Sequence, residues 1–154
     1  MPQITKIISG GQTGADRAGL DAAKELGIAT GGRCPRLYRT ETGSDPSLKQ
    51  YGLIETASSD YSERTKLNVL HSDGTVIFAD VSNGKITSRG SLLTFKTARD
   101  NDKPCVVNPT GAELVKWIKS NSISVLNVAG NRESTSPGIY ERVRMLLLEM
   151  LRER

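Results

Sequence analysis

The clearest potential for chemistry lies in residues 9–23, SGGQTGADRAGLDAA, where glycines separate an apolar run from a helical pattern. Glycines let backbone amides approach a ligand closely, and the free amides at the start of a helix attract an anion. The segment therefore predicts a loop that holds a phosphate through its amides. Its residues are Gly10, Gly11, Gln12, Thr13 and Gly14. The alternative is a tight strand-to-helix turn without a ligand, since such turns are common in α/β folds.

This loop differs from two better-known phosphate motifs. A P-loop requires glycine, lysine and a hydroxyl residue in succession, whereas Gly14 is followed by alanine and aspartate. The spacing also differs from the GxGxxG of dinucleotide-binding folds, and Arg33 stands where an acidic ribose-binding residue is expected. An ordinary NAD dehydrogenase is therefore disfavoured. Arg33 instead falls in a predicted basic loop with Arg36 and Arg39, from which it could face a bound anion.

Two further loops should emerge at the same edge of the sheet, because open parallel sheets bind ligands where their strands end. They span residues 80–91 and 129–136, and each leads into a predicted helix start. Three helix N-termini could then converge on one oxyanion. The first of these loops supplies the second half of the candidate site, which consists of Ser88, Arg89, Gly90 and Ser91. For both loops, simple helix capping is the alternative.

Candidates for catalysis are weaker, and no catalytic residue is assigned. Asp16 could act as a general base near a phosphate, but an acid in the first turn also suits the helix dipole. Asp80 follows a predicted strand and could meet a ligand or a water. His71, the only histidine, falls at a predicted helix end, where a capping role is favoured.

The cysteines predict neither a protein-ligated metal nor a disulfide framework. Cys34 and Cys105 are far apart in sequence and have no CxxC or histidine-rich companion. Two reduced thiols are therefore expected. Cys34 is the one soft ligand candidate, because it lies beside the basic loop.

Length and composition predict a single domain over residues 1–154, with 36% hydrophobic and 25% charged residues. The net charge of +4 is spread along the chain and aromatic residues make up only 5%, which disfavours nucleic-acid binding. No stretch has the roughly 18 apolar residues of a membrane helix, so we expect no membrane partner and a cytoplasmic protein.

Alternating apolar runs and helical patterns predict an α/β fold with a mainly parallel sheet of five or six strands. The expected strands are 4–9, 27–30, 53–56, 75–79, 105–107 and 123–128. The expected helices are 15–26, 60–71, 91–101, one capped by Thr110 and Glu113, and 136–153.

The last predicted helix starts with Ser136 as its cap and Pro137 as its first residue. It is apolar over much of its circumference, and one sheet face would bury about half of that surface. The remaining apolar surface suggests a subunit interface, and hence a homo-oligomer.

Several motifs together resemble the family of proposed molybdenum carrier proteins, which is similar to the lysine-decarboxylase-like Rossmann nucleotide-binding group. The resemblance covers nearly the whole chain. Besides residues 9–23, the motifs are GGRCP at 31–35, YSERT at 61–65 with Asn68, SDGTVIF at 72–78 and NVAGNRESTSPGIY at 127–140.

The resemblance implies a Rossmann-like three-layer α/β/α fold and a protein that binds the molybdenum cofactor. This cofactor, molybdopterin with its metal, is a phosphate-bearing pyranopterin that the protein would protect from oxidation and pass on, with molybdoenzymes as acceptors. The cofactor's own dithiolene carries the molybdenum, so no protein ligand to the metal is implied.

The resemblance also favours binding over catalysis. Relatives usually carry Gly-Gly-Thr where this chain has Arg89-Gly90-Ser91, and the added arginine could supply a cation for phosphate. Relatives that hydrolyse nucleotides carry a glutamate on the following helix, and residues 92–96 contain none. The alternatives are a phosphoribohydrolase-like, nucleotide-processing hydrolase that uses Asp16 or Asp80, and a nucleotide-sensing domain with the same anion site.

Overall fold

A computed structural model describes residues 4–152 and contains a six-stranded parallel sheet. Its strands in spatial order are β5 (Leu53–Glu55), β2 (Ala29–Cys34), β1 (Lys6–Ile8), β10 (Val125–Gly130), β6 (Gly74–Phe78) and β9 (Cys105–Val107). Two small antiparallel hairpins lie outside this sheet. They pair β3 (Arg39–Thr40) with β4 (Gly43–Ser44), and β7 (Val81–Ser82) with β8 (Lys85–Ile86).

Helices cover both faces of the sheet. They are α1 (Ala15–Glu25), α2 (Tyr61–Leu70), α3 (Arg89–Asp100), α4 (Gly111–Ser120) and α5 (Ile139–Leu151). The main core cluster joins α1, α4 and α5 to one face of the central strands, while α2 and α3 pack together on the other face. The predicted Rossmann-like three-layer α/β/α fold is therefore confirmed, with six strands.

Small residues bring α1 close to the centre of the sheet. A side chain at Gly19 would place its Cβ 2.7 Å from the Cβ of Val128 on β10. The neighbouring alanines Ala15, Ala18 and Ala22 are fully buried in the same core. Because glycine and alanine occupy this face, the backbone of α1 lies almost directly on β10.

The apolar surface of α5 is largely covered by the chain itself. Five of its side chains are buried against α1, α4 and the sheet: Ile139, Val143, Leu147, Leu148 and Leu151. Met150 lies against Gly111 of α4, whereas Met145 stays 54% exposed. Packing within the chain thus accounts for most of the apolar circumference, and the homo-oligomer stays a prediction.

Several predicted boundaries were wrong, including those of the first and last strands, which are Lys6–Ile8 and Val125–Gly130. Three of the differences lie next to the candidate site. Strand β2 does not end at Thr30 but continues to Cys34, because β1 and β5 pair with it on both sides and override the weak strand preference of its two glycines. Helix α3 begins at Arg89, two residues before the predicted start. Helix α5 begins at Ile139, with Gly138 rather than Ser136 at the cap position.

The polar stretch after β2 is more ordered than the predicted long loop. It forms two 3-10 helices, Arg36–Tyr38 and Pro46–Tyr51, around the β3–β4 hairpin. Leu48 is fully buried with Leu20 of α1 and Leu53 of β5, which holds the stretch against the sheet edge. Within residues 4–152, no helix is long and apolar enough to cross a membrane.

Two matched glycine-to-alanine changes test the close approach of α1. Gly19→Ala is expected to lower the free energy of unfolding by about 1–3 kcal/mol, because its Cβ would overlap Val128. Gly90→Ala in α3 meets open space and should leave stability unchanged or raise it by up to about 1 kcal/mol. Urea unfolding of the two variants measures both effects, and a stabilised Gly19→Ala protein would contradict the packing described.

Candidate functional site

A buried carboxylate closes the glycine loop that follows β1. Asp16 is 2% exposed, and its Oδ2 accepts a hydrogen bond from the Gln12 amide at 3.2 Å and from Arg64 Nη1 at 2.9 Å. The Gly10 backbone also helps to lower the pKa of this carboxyl. The Arg64 guanidinium lies directly over Gly10, where any Cβ would collide with it. Asp16 therefore takes up an amide of the loop in which the sequence predicted a phosphate.

The other amides of the loop also have partners inside the protein. The Gly11 amide donates to Ser9 Oγ at 3.2 Å, and the Thr13 amide donates to Gln12 Oε1 at 3.1 Å. At Gly14, a side chain would collide with the backbone of residues 131–133. In this structure these loop amides are therefore not available to a phosphate. The glycines instead allow the loop to pack closely against its neighbours.

Burial and pairing act in opposite directions on Asp16. Burial raises the pKa of its carboxyl above the ordinary value, while Arg64 and the amides of Gln12 and Gly10 favour the ionised form and lower the pKa. The net shift is upward. Asp16 and Arg64 stand 48 residues apart in sequence, so this contact fixes α2 against the start of α1.

Thr13 and Gly14 face away from the rest of the candidate site. They line a separate depression, in which the Thr13 hydroxyl donates to the Glu41 carboxylate and the Ser134 hydroxyl donates to its other oxygen. Burial opposes ionisation of Glu41, but these hydroxyls bring its pKa below the ordinary value. The contacts hold the tip of the β3–β4 hairpin on the glycine loop.

A cavity of about 270 Å³ lies where β10 ends, between α2 and α3. It brings Gln12 and Asp16 together with the predicted second loop, Ser88 to Ser91. The exposed residues Gly90, Leu93 and Arg132 line its mouth, so it opens to solvent. Its remaining lining comes from Tyr61, Arg64, Thr65, Thr94, Ala129, Gly130, Asn131 and Thr135.

Helix α3 points free amides toward this cavity. Within the described part of the chain, no acceptor is found for the amides of Arg89, Gly90 and Ser91. Ser88 occupies the cap position, yet its side chain makes no capping bond to the helix. Gly90 adds no side chain to the space above these amides, so an anion can approach them directly.

The other two helix starts have internal acceptors. In α1, the Ala15 amide donates to the carbonyl of Asn131 at 3.1 Å. In α5, the Glu133 carboxylate accepts the amides of Gly138 at 2.7 Å and Tyr140 at 3.0 Å. Glu133 therefore supplies the cap that the sequence assigned to Ser136. Of the three helix starts predicted to converge on an oxyanion, α3 is the one whose first three amides all lack an acceptor among residues 4–152.

Arginines surround these amides. Arg64, Arg89 and Arg132 all line the cavity. The Tyr61 ring lies between them, with its centroid 5.4 Å from the Arg64 guanidinium and 5.9 Å from that of Arg132. No role was predicted for Arg64, Arg132 or Tyr61 from the sequence. The three-residue spacing of Tyr61 and Arg64 places them on one helix face, which was the available signal.

Asn131 joins the cavity to the end of β6. Its Oδ1 accepts hydrogen bonds from Ser88 Oγ at 2.6 Å and Ser91 Oγ at 2.9 Å. Its Nδ2 donates to Ser136 Oγ at 2.9 Å, and Ser136 Oγ donates to Asp80 Oδ2 at 2.8 Å. The hydroxyl protons of Ser88 and Ser91 are therefore directed at Asn131 rather than at the cavity.

Arg33 does not reach the cavity. It lies on β2 rather than in a loop, and its backbone amide and carbonyl bond the side chain of Asn68 on α2 at 2.8 and 3.0 Å. Arg39, from the same predicted basic loop, contacts the Tyr61 ring at 4.9 Å and the Ser59 carbonyl at 3.0 Å. The two predicted basic residues thus lie in different environments.

The remaining candidates serve structure or lie apart from the cavity. His71 ends α2 through its backbone amide, which donates to the Leu67 carbonyl. Burial raises the pKa of the Cys34 thiol to about 11, so it is a poor source of thiolate for a metal. No cluster of three or more metal-ligating side chains occurs among the residues that the structure describes.

Comparison with known proteins places the chain in a defined group. Residues 7–151 match the circularly permutated YpsA SLOG family. The chain is similar to the crystal structure of a proposed molybdenum carrier protein from Syntrophus aciditrophicus SB, with 43% sequence identity and a TM-score of 0.85. That match covers 97% of this chain and 96% of the other.

A second solved structure is only distantly similar. It is an (E)-4-hydroxy-3-methyl-but-2-enyl diphosphate reductase with 14% identity and a TM-score of 0.40, over 95% of this chain and 59% of that chain. This similarity is too low to bear on fold or function. No significant match to a curated protein was found.

The buried Asp16–Arg64 pair should dominate local stability. Arg64→Met is expected to lower the free energy of unfolding by about 3 kcal/mol at neutral pH, because it leaves a buried carboxylate without its cation. Losing Arg64 also raises the pKa of Asp16 further. A carboxyl whose pKa is raised on folding destabilises the protein above its unfolded pKa, so the loss should shrink as the pH falls toward about 4. Urea unfolding at the two pH values measures this.

Arg99→Met is the matched control for this prediction. Arg99 is 61% exposed and pairs with Asp100 on the surface of α3. Its removal should change stability by less than about 0.5 kcal/mol at either pH. Equal losses in the two variants would show that the Asp16–Arg64 pair is no more important than a surface ion pair.

Proposed function

The chain belongs to the circularly permutated YpsA SLOG family, and from this premise we propose that it binds the molybdenum cofactor through that ligand's phosphate. The observation that carries the proposal is the free amino end of α3 beside Arg64, Arg89 and Arg132. Amides and guanidinium groups are the donors that phosphate oxygens favour. The resemblance of the motifs to the proposed molybdenum carrier proteins is confirmed by the 43% identical relative.

The residues of the cavity fit such a cargo. A volume of about 270 Å³ holds a phosphate and part of a ring, and the open mouth leaves room for the rest of a pyranopterin. The Tyr61 ring lies under the guanidinium groups of Arg39, Arg64 and Arg132, so a flat heterocycle could stack on it only in place of one of them. The metal of this cargo brings its own sulfur ligands, so the protein needs to supply only anion donors and a surface.

The proposal places the phosphate at α3 and not in the glycine loop. Arg89, Gly90 and Ser91 supply backbone amides, and Arg132 supplies charge. The charge of Arg64 is largely offset by Asp16, with which it forms an ion pair. We keep the predicted transfer to molybdoenzymes and the cytoplasmic location as parts of this proposal. The first rests on the carrier name of the relative.

The hydrolase alternative receives no support from the carboxylates it would use. Asp16 already accepts bonds from Arg64 and the Gln12 amide, and it is 2% exposed, so it is poorly placed to activate a water. Asp80 accepts the hydroxyl of Ser136. A nucleotide sensor would use the same amides and arginines, and identification of the bound molecule separates it from a carrier.

Identification of the ligand is the direct test. Protein purified anaerobically from a molybdopterin-producing host should release a pterin that fluoresces after acid oxidation and is identified by mass spectrometry. The same extraction from the cofactor-free host gives the background. Recovery of a nucleotide in place of the pterin, with no loading by added molybdenum cofactor, would favour the sensor over the carrier.

Gly90→Asp separates binding from folding. The new carboxylate lies in the first turn of α3, where it suits the helix dipole, so stability should be kept or slightly raised. It also repels a phosphate at the free amides, so the affinity for the molybdenum cofactor should fall by about tenfold or more. Fluorescence titration measures the affinity and thermal unfolding measures the stability.

Gly90→Asn is the matched control, since it has the same size without the charge. It should keep most of the affinity, because Gly90 faces open space. If Gly90→Asp and Gly90→Asn bind the cofactor as tightly as the unchanged protein, the phosphate does not lie at α3.

A further inference from the structure

The chain of hydrogen bonds behind the cavity has a fixed direction. An ionised carboxylate has no proton to donate, so Ser136 must donate its hydroxyl proton to Asp80. Ser136 Oγ can then only accept from Asn131, which turns the amide nitrogen of Asn131 toward Ser136. The amide oxygen is left to face the cavity side.

The orientation of Asn131 also fixes the direction of the hydrogen bonds made by the two cavity serines. Ser88 and Ser91 donate their hydroxyl protons to the Oδ1 of Asn131, which has no proton of its own to offer them. What their oxygens present to the cavity is therefore lone pairs. Both serines belong to the anion site predicted from the sequence, and in the structure their hydroxyl protons are directed at Asn131.

Asn131 cannot easily escape this arrangement. The residue is 2% exposed. Its backbone amide donates to the Phe78 carbonyl at 2.8 Å, and its backbone carbonyl accepts from the Ala15 amide at 3.1 Å. With the backbone held on both sides, rotation of the side-chain amide is the remaining freedom. The Asp80–Ser136 contact decides that rotation.

We propose that Asp80, acting through Ser136 and Asn131, makes the cavity select an anionic ligand that carries a hydrogen-bond donor beside its charge. The inference rests on the proposed anion site at α3. There the amides of Arg89, Gly90 and Ser91 take the charged oxygens, while the two serine oxygens require an O–H or N–H from the same ligand. Asp80 is a positioning residue, because its effect passes through two other side chains.

The inference makes inorganic phosphate and sulfate a sharp pair of probes. At mildly alkaline pH both are dianions of similar size, but only hydrogen phosphate carries an O–H. Ser88 lies at the cap of α3, so an anion on the following amides comes within reach of its oxygen. Hydrogen phosphate can donate a hydrogen bond to the Ser88 oxygen. Sulfate has no proton to donate, so its oxygens are repelled by the lone pairs of the Ser88 oxygen.

The experiment is an NMR titration of the full-length protein with each anion, followed at the amides of Gly90 and Ser91. Hydrogen phosphate is expected to bind at least about tenfold more tightly than sulfate. In Ser136→Ala the link to Asp80 is removed without a change of charge, Asn131 is free to rotate, and the preference should fall toward unity. Asp80→Asn should have the same effect on the ratio, because an amide can donate to Ser136.

Asp100→Asn controls for the lost charge of the second variant. Asp100 lies at the far end of α3, 66% exposed and paired with Arg99. Its replacement changes the net charge by the same amount and leaves the hydrogen bonds from Asp80 through Ser136 to Asn131 intact. The ratio of the two affinities should keep its unchanged value there. A purely structural role of Asp80 would weaken both anions together and leave the ratio intact.

The outcomes separate this inference from the proposed function. Equal affinities for the two anions in the unchanged protein, with shifts at Gly90 and Ser91, would overturn the selection by Asp80 and leave the anion site standing. A preference for hydrogen phosphate that survives in Ser136→Ala would overturn the role of Asp80 and Ser136 and would also leave the anion site standing. If neither anion shifts these amides, the anion site itself fails, and the inference fails with it.

Discussion

The burial of one carboxylate, Asp16, determines how the loop after β1 is arranged. A buried charge is unstable without a partner, and Arg64 and the loop amides supply that partner here. The contact fixes the loop, the start of α1 and the second helix in one arrangement. It also fills the position at the end of β1 where many α/β proteins bind phosphate. The free amides of α3, which follows β6 two strands away from β1, remain open to a ligand.

Asn131 is a second buried residue that holds several elements together at this edge of the sheet. Its backbone accepts the first amide of α1 and donates to the end of β6, while its side chain holds the serines at the start of α3. Three elements that are distant in sequence thus meet at one buried amide. A side chain with both a donor and an acceptor can donate to Ser136 and accept from Ser91 at once, which neither aspartate nor leucine could do. The geometry of the cavity follows from this one residue more than from the loop that contains it.

Local patterns in the sequence were sufficient for the layers but not for the contacts within the site. The capping box of Thr110 and Glu113 was predicted because both residues lie within one turn, and it is confirmed. The pairing of Asp16 with Arg64 leaves no such local signal, because the two residues meet only after β2 and β5 have placed α2 over the loop. The α5 cap was missed for a related reason, since Glu133 reaches the helix from five residues before Gly138. Composition indicates which residues can bind an anion, but not which of them are already bound to each other.

The proposed function requires that the cargo be held and also released, and the donors at α3 suit both needs. Arg89 and Arg132 are exposed at the mouth, where salt and water screen their attraction for a phosphate. The backbone amides of α3 add directional hydrogen bonds without enclosing the ligand deeply. Among residues 4–152, no cluster of three or more side chains is suited to bind a metal. Affinity at such a site comes from several moderate contacts that can be given up one at a time. Selectivity then has to come from hydrogen-bond direction, because size and charge alone would admit any small anion.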